Sequence, residues 1–313
     1  MRALALLLAA FFLSLPGSAA RAQSCTFTIG DVDFGAVDVL SGGQVSLGTS
    51  LHISCSGLSL NTVRVCASIG SGSGGAVSGA RRLLGSNGTL DYQLYSSGST
   101  VWGSNYWGLP GAPPTIDVPL NLGGSGSTSV PITVTLFGAQ QTAHVGAYQS
   151  NFTASDNRFV YGYTFLGIVG CHLIPLLPQL GSTTFKVQAH IDNTCHVTAQ
   201  DIDFGTRGIL SSNVDATGEV SVRCTNGTPY SVGLNGGLAA APPTARHMTG
   251  PATILYGIYR DAARTQAWGS TVGTTMAGNG SGLSQPLTTY GRVPPQAAAP
   301  GTYTDSVIAT VTY

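Results

Sequence analysis

Phe185, Val187, Ala189 and Ile191 alternate with Lys186, Gln188 and His190, so every second side chain is apolar. Val307, Ala309 and Val311 alternate with Ile308, Thr310 and Thr312, and Ile132, Val134 and Leu136 alternate with Thr133 and Thr135. A period of two in β-branched residues predicts strands that bury one face. Gly, Ser, Asn and Pro punctuate the pattern at the short, regular spacing of a β-sandwich. No stretch carries the apolar period of an amphipathic helix. The expected fold class is all-β.

The chain also repeats itself. Cys25, Asp33-Phe34-Gly35 and Cys55 are echoed by Cys195, Asp203-Phe204-Gly205 and Cys224. Thr89 to Tyr95 matches Thr253 to Tyr259, and Val101-Trp102-Gly103 matches Ala267-Trp268-Gly269. Phe137-Gly138 is set against Tyr290-Gly291, and Gly146-Ala147-Tyr148 against Gly301-Thr302-Tyr303. Two related units whose loops differ in length produce such an echo. The repeat selects Cys25–Cys55 and Cys195–Cys224 as disulfides, one per unit, and leaves Cys66 to pair with Cys171.

The N-terminus reads as an export signal. Met1-Arg2 precedes an apolar run from Ala3 to Leu15, Pro16-Gly17 breaks it, and Ala20-Arg21-Ala22 offers a cleavage site. The run is short for a membrane span, and no later segment is long and apolar enough, so no span is expected in the mature chain. An even cysteine count in an exported chain reads as disulfides.

Composition narrows the function. The 313 residues include 13 Lys+Arg and 13 Asp+Glu, giving net charge +0, and only 8% are charged. With no basic patch to neutralise phosphates, nucleic-acid binding is not expected. With 42% hydrophobic residues the chain can bury a core.

Signals for chemistry are weak. Gly70-x-Gly72-x-x-Gly75 matches a dinucleotide pattern, but no helix follows it, so it reads as a loop. His52, His144, His172, His190, His196 and His247 show no ligand spacing, so no metal or other cofactor is expected. Asp33 and Asp203 recur before Phe-Gly and read as turn residues. No enzyme activity is expected.

Taken together, these residues resemble the spore coat protein U domain family. The resemblance rests on the opening Cys, the Asp-Phe-Gly, the second Cys, Arg81-Arg82 and Arg246-His247-Met248, the aromatic strand, the Trp-Gly and the closing Gly-x-Tyr. Tyr303-Thr304-Asp305-Ser306-Val307 makes the second half the fuller match, while Gln149-Ser150-Asn151-Phe152 departs from the pattern in the first. The resemblance implies immunoglobulin-like subunits of archaic chaperone–usher pili, each lacking its last strand. A periplasmic chaperone fills the gap first, and the N-terminal strand of a neighbouring pilin subunit fills it later, at an outer-membrane usher. A tandem member resembles the tip adhesin of such a pilus, which attaches to surfaces.

The resulting expectation is a signal peptide over 1–22, an adhesin domain over 23–180 and a pilin-like domain over 181–313. These are two immunoglobulin-like β-sandwiches in tandem, the second lacking its last strand. Arg158 to Tyr163 is expected to close the first, and Thr184 to Ile191 to open the second, with closure of the first by Thr184 to Ile191 as the alternative. Tyr303, Val307, Ala309 and Val311 are expected to line a donor-strand groove. Cys25 stands so near the expected mature start that no donor strand is expected ahead of it. Tyr106, Trp107, Leu109, Phe165, Leu166, Ile168 and Val169 are candidates for contact with apolar surfaces. The alternatives are a secreted spore-coat or matrix protein and, in another class, a carbohydrate-binding module or hydrolase.

Overall fold

The computed structural model describes residues 23–164, 171 and 178–313, so the expected signal peptide lies outside the described residues. Every named element is a strand. The first half holds β1 (Ser24–Ile29), β2 (Val32–Ala36), β3 (Val45–Ser56), β4 (Thr62–Ile69), β5 (Ala76–Val77), β6 (Ala80–Gly85) and β7 (Gly88–Ser97). It continues with β8 (Thr100–Val101), β9 (Thr115–Pro119), β10 (Ser125–Leu136), β11 (Gly146–Phe152), β12 (Asn157–Tyr163), β13 (Gln179–Gly181) and β14 (Phe185–Ile191). The rest is β15 (Cys195–Ala199), β16 (Val214–Cys224), β17 (Pro229–Leu234), β18 (Arg246–Thr249), β19 (Thr253–Tyr259), β20 (Met276–Asn279), β21 (Gln285–Val293) and β22 (Ala309–Thr312).

Two hydrophobic cores result. The first runs from Phe27 to Ile191, between a sheet ordered β1-β3-β10-β7-β6-β11-β14-β2 and a second ordered β13-β12-β4-β9. The other runs from Val220 to Val293, between β15-β16-β21-β19-β18 and β20-β17-β22. Alternation explains the burial: Ile132, Val134 and Leu136 turn inward along β10.

The halves repeat in detail. Trp102 Nε1 donates to the Ala67 carbonyl at 2.7 Å, and Trp268 Nε1 to that of Val232 at 2.9 Å. Buried Arg81 donates from Nη2 to the Trp102 carbonyl at 2.8 Å, as Arg246 does to Trp268 at 2.7 Å. Tyr148 OH donates to His144 and Tyr303 OH to Ala299, both at 2.7 Å. Gln140 clamps the Asp91 backbone as Gln296 clamps that of Leu255. Cys25–Cys55 and Cys195–Cys224 each join directly paired residues of neighbouring strands, and Cys66 is bonded to Cys171.

Strand register corrects one alignment. Thr133 pairs with Tyr95 as Tyr290 pairs with Tyr259, so Tyr290-Gly291 corresponds to Thr133-Val134 and not to Phe137-Gly138. The Phe-Gly resemblance was compositional, while cross-strand pairing sets the true register.

Closure of the first half also departs from the expectation. β12 pairs with β4 as β22 pairs with β17, so Arg158 to Tyr163 is the sibling of the last strand of the second half and closes nothing extra. The long strand without a sibling among the described residues is β14. It lies antiparallel to β11 from Gly146↔Ile191 to Phe152↔Phe185 and parallel to β2 through Val187↔Val32. Thr184 to Ile191 therefore belongs with the first core, and the division expected at residues 180 and 181 falls inside the segment that completes it. The chain then passes through Asp192–Thr194, tied to the second half by Thr225 and Thr228. Val145 N–H, just ahead of β11, donates to the Asn226 carbonyl at 2.9 Å and adds a second tie.

Candidate strand-binding groove and surface-contact loops

In the first core β14 lies between β11 and β2. Phe185, Val187, Ala189 and Ile191 are all buried, while Lys186, Gln188 and His190 face outward. β13 extends the same edge by pairing with β12, from Phe159↔Gly181 to Tyr161↔Gln179. The residues from 179 to 191 thus run antiparallel to both β11 and β12 as one broken strand. The Cys66–Cys171 disulfide ties the chain ahead of this segment to β4.

The second core has no counterpart of β13 or β14 among the described residues. The effect on local structure is visible. Gly301 to Ser306 corresponds to β11, yet it makes only an isolated bridge, Thr249↔Thr304. Ile202 to Phe204 corresponds to β2 and forms no strand. Strand geometry without a partner leaves backbone groups unpaired, so these edges stay irregular. Tyr303, Val307, Ala309 and Val311 are half-buried, and they alternate with exposed residues. In the first core Tyr148 and Phe152, the siblings of Tyr303 and Val307, are fully buried. Ile202, Phe204 and Leu210 are likewise half-buried against the second core.

One polar difference marks the two edges. Ser150 in the first half is replaced by Asp305, which accepts Tyr256 OH at 2.6 Å, Leu238 N–H at 2.9 Å and Ser306 N–H at 2.8 Å. Burial, then the Asp305 carboxylate, pushes the Tyr256 phenol well above its usual range. Burial alone dominates at Tyr92, its sibling, which is pushed up to about 12. Burial also lowers the Arg81 guanidinium to about 10.

The contact candidates separate. Leu109 is buried and carries no surface role, because the Gly/Pro-rich loop folds it inward. Trp107 is half-buried beside Gly70. Tyr106 is 45% exposed, edge-on to Trp107, with the Arg158 guanidinium 4.4 Å from its ring centroid. Phe165, Leu166, Ile168 and Val169 lie outside the described residues.

Sequence reading missed a cluster at the opposite end of β4. Leu58, Leu60 and Leu122 are 56%, 73% and 80% exposed. Their loops are joined by Leu60 N–H donating to the Asn121 carbonyl and Gly57 N–H to that of Gly124. Tyr163 OH accepts Leu58 N–H at 2.7 Å, which brings the end of β12 to the same pole. Leu60 holds a left-handed φ of 58°, a backbone that costs an L-residue about 1–2 kcal/mol. Ser-Gly-Leu-Ser-Leu-Asn reads as an ordinary turn, and only burial shows that its leucines face solvent.

Among the described residues no three His, Cys, Asp or Glu side chains are grouped to hold a metal ion, and no helix is long and apolar enough to cross a membrane. Asp33 and Asp203 both cap a turn, accepting Gly35 and Gly205 N–H at 2.8 and 2.7 Å, with both glycines at positive φ.

Comparison with known proteins adds the lineage. The Spore Coat Protein U domain profile matches residues 10–155 and 182–310. Protein U of Myxococcus xanthus is 35% identical over 127 residues, covering 36% of this chain and 71% of that protein. Among solved structures, one chain covers 93% of this chain and is itself covered fully, at 18% identity and a TM-score of 0.54. It comes from the CsuC-CsuE chaperone-tip adhesion subunit pre-assembly complex of the archaic chaperone-usher Csu pili of Acinetobacter baumannii. The CupB6 tip adhesin of Pseudomonas aeruginosa aligns over 92% of this chain and 94% of its own, at 10% identity and a TM-score of 0.39.

Proposed function

The chain belongs to the Spore Coat Protein U domain family, and from that premise we propose that it is the tip subunit of an archaic chaperone–usher pilus. The observation that carries the reading is the asymmetry between the halves. The first core is completed by its own β14, while the second offers a matching edge with no strand on it among the described residues. A unit closed by its own chain has no need of a neighbour. A unit with an open edge accepts a β-strand in trans, first from a periplasmic chaperone and then from a neighbouring pilin subunit, assembled at an outer-membrane usher. Tyr303, Val307, Ala309 and Val311 line that edge.

In this reading the chain is exported and comprises an adhesin domain from Gln23 to Ile191 and a pilin-like domain from Cys195 onward. The adhesin domain meets the target surface through exposed apolar side chains, with Leu58, Leu60 and Leu122 added to Tyr106 and Trp107. The protein catalyses no reaction. The family's description as a spore coat domain supports the alternative of a coat or matrix protein. Electron microscopy with an antibody to this chain separates the two. Label at one end of thin surface fibres is expected, whereas label along their length or in a continuous layer overturns the tip assignment.

A further inference from the structure

In the first core the closing strand touches two walls. β11 is one, and the segment Asp31 to Leu40 is the other. Asp31 Oδ1 accepts the Lys186 N–H at 2.8 Å, and Asp33 Oδ2 accepts Gln188 Nε2 at 2.6 Å. Val37 N–H donates to the His190 carbonyl at 2.8 Å. Val32, Val37, Val39 and Leu40 are buried beneath these bonds.

The second half carries the same segment. Counted from the shared Asp-Phe-Gly, Asp201, Ile202, Asp203, Arg207, Ile209 and Leu210 stand where Asp31, Val32, Asp33, Val37, Val39 and Leu40 stand. Asp203 makes the same turn with Gly205. With no strand against it among the described residues, the segment lies open. Asp201 and Asp203 are exposed, and Ile209 is 94% exposed where Val39 is 7%.

We infer that Asp201 to Leu210 is the second wall of the strand-binding site, and that it selects a β-strand whose outward side chains are hydrogen-bond donors or basic. The inference rests on the reading of the second core as a strand acceptor. Asp201 takes a backbone N–H of the incoming strand, as Asp31 does from Lys186. Asp203 keeps its turn through Oδ1 and takes an amide or ammonium group through Oδ2. The Arg207 N–H donates to a carbonyl of the strand, and Ile209 is drawn into the core. A carboxylate at the outward position facing Asp203 is rejected by like charge, which gives the site a means of choosing among apolar strands.

The probe is a synthetic peptide of residues 182–192 of this chain, titrated into the full chain, with affinity and melting temperature as readouts. The wild-type peptide is expected to bind and to raise the melting temperature. The peptide carrying Gln188→Glu is expected to bind at least about tenfold more weakly. The full-chain variant Asp203→Asn, which still accepts the Gly205 N–H, should bring that peptide back to within about threefold of the original. The full-chain variant Ile209→Ser should melt normally alone, because the side chain is exposed, yet bind about tenfold more weakly. Failure of the wild-type peptide to bind removes the acceptor reading and this wall with it. Binding that is indifferent to Gln188→Glu or to Ile209→Ser keeps the acceptor and overturns the wall.

Discussion

Phe185 on the closing strand stacks on Phe152 of β11, with ring centroids 4.2 Å apart and planes 5° from parallel. Both rings are buried, so the pair pins the start of β14. Phe185→Ala is expected to destabilise the first core by about 3–5 kcal/mol, with Lys186→Ala changing it by less than about 0.5 kcal/mol. Chemical denaturation of the two variants measures the difference. Equal effects would detach β14 from the core.

Arg81 and Arg246 place buried guanidinium donors on main-chain carbonyls, Arg81 on Ile69, Gly70 and Trp102. Replacing either by Met leaves carbonyls of a strand end without donors. A loss of about 3 kcal/mol or more is expected in the half that carries the change. Hydrogen exchange should localise the loss: Arg246→Met should release amides of β17 and β19 and leave β4 and β7 protected.

Asp33 links β2 to the closing strand and is sensitive to acid. The Gly35 amide chiefly, then Gln188 and the Lys186 charge, hold its carboxyl below the ordinary value of 3.8. A carboxyl depressed in the folded state contributes stability above that value, and the contribution is lost as pH falls through the folded pKa. The Val37 amide should therefore lose protection, relative to the intrinsic exchange rate at each pH, as pH falls below 3.8, and Asp33→Asn should flatten this dependence.

The Cys66–Cys171 disulfide spans a sequence separation of 105 and fastens the approach to the closing strand. Chain-entropy arithmetic assigns it roughly 4–5 kcal/mol. Removing both cysteines should lower the first core's stability by up to that amount. Hydrogen exchange should then show the loss in β4 and β12 to β14, with β15 to β22 left protected. Unchanged protection would show that packing alone holds β13 and β14.

At the leucine pole, Leu58, Leu60 and Leu122 are exposed, so replacing all three by Ser should shift the melting temperature by no more than a few degrees. Attachment to hydrophobic beads should fall by an order of magnitude or more. Full attachment by the triple variant would move the contact site elsewhere, with Tyr106 and Trp107 next to be tested.

Much of this architecture is legible in local pattern. Period-two runs marked β10, β14 and β22, the repeated cysteines gave the pairings, and the Asp-Phe-Gly turns form as expected. What escaped was long-range partnership. Nothing within Phe185 to Ile191 says that its neighbours are β11 and β2, distant in sequence, because an alternating strand fits any edge that offers an apolar face. Arg158 to Tyr163 carries an equally good strand signal, so composition could not tell which of the two was extra. Exposure in the loops escaped for a related reason. Leu109 and Leu60 both sit among Gly, Ser, Pro or Asn, and only the fold decides that one is buried and the other presented.

β14 is at once the last piece of the first core and the cord by which that core hangs from the second. A pull that draws the two cores apart therefore loads this strand along its own length. Its bonds to β11 and β2 lie across that load and resist together, so they must shear as a set and cannot open one by one like a zipper. The same seven residues that complete the fold thus set how hard the molecule can be tugged before it parts.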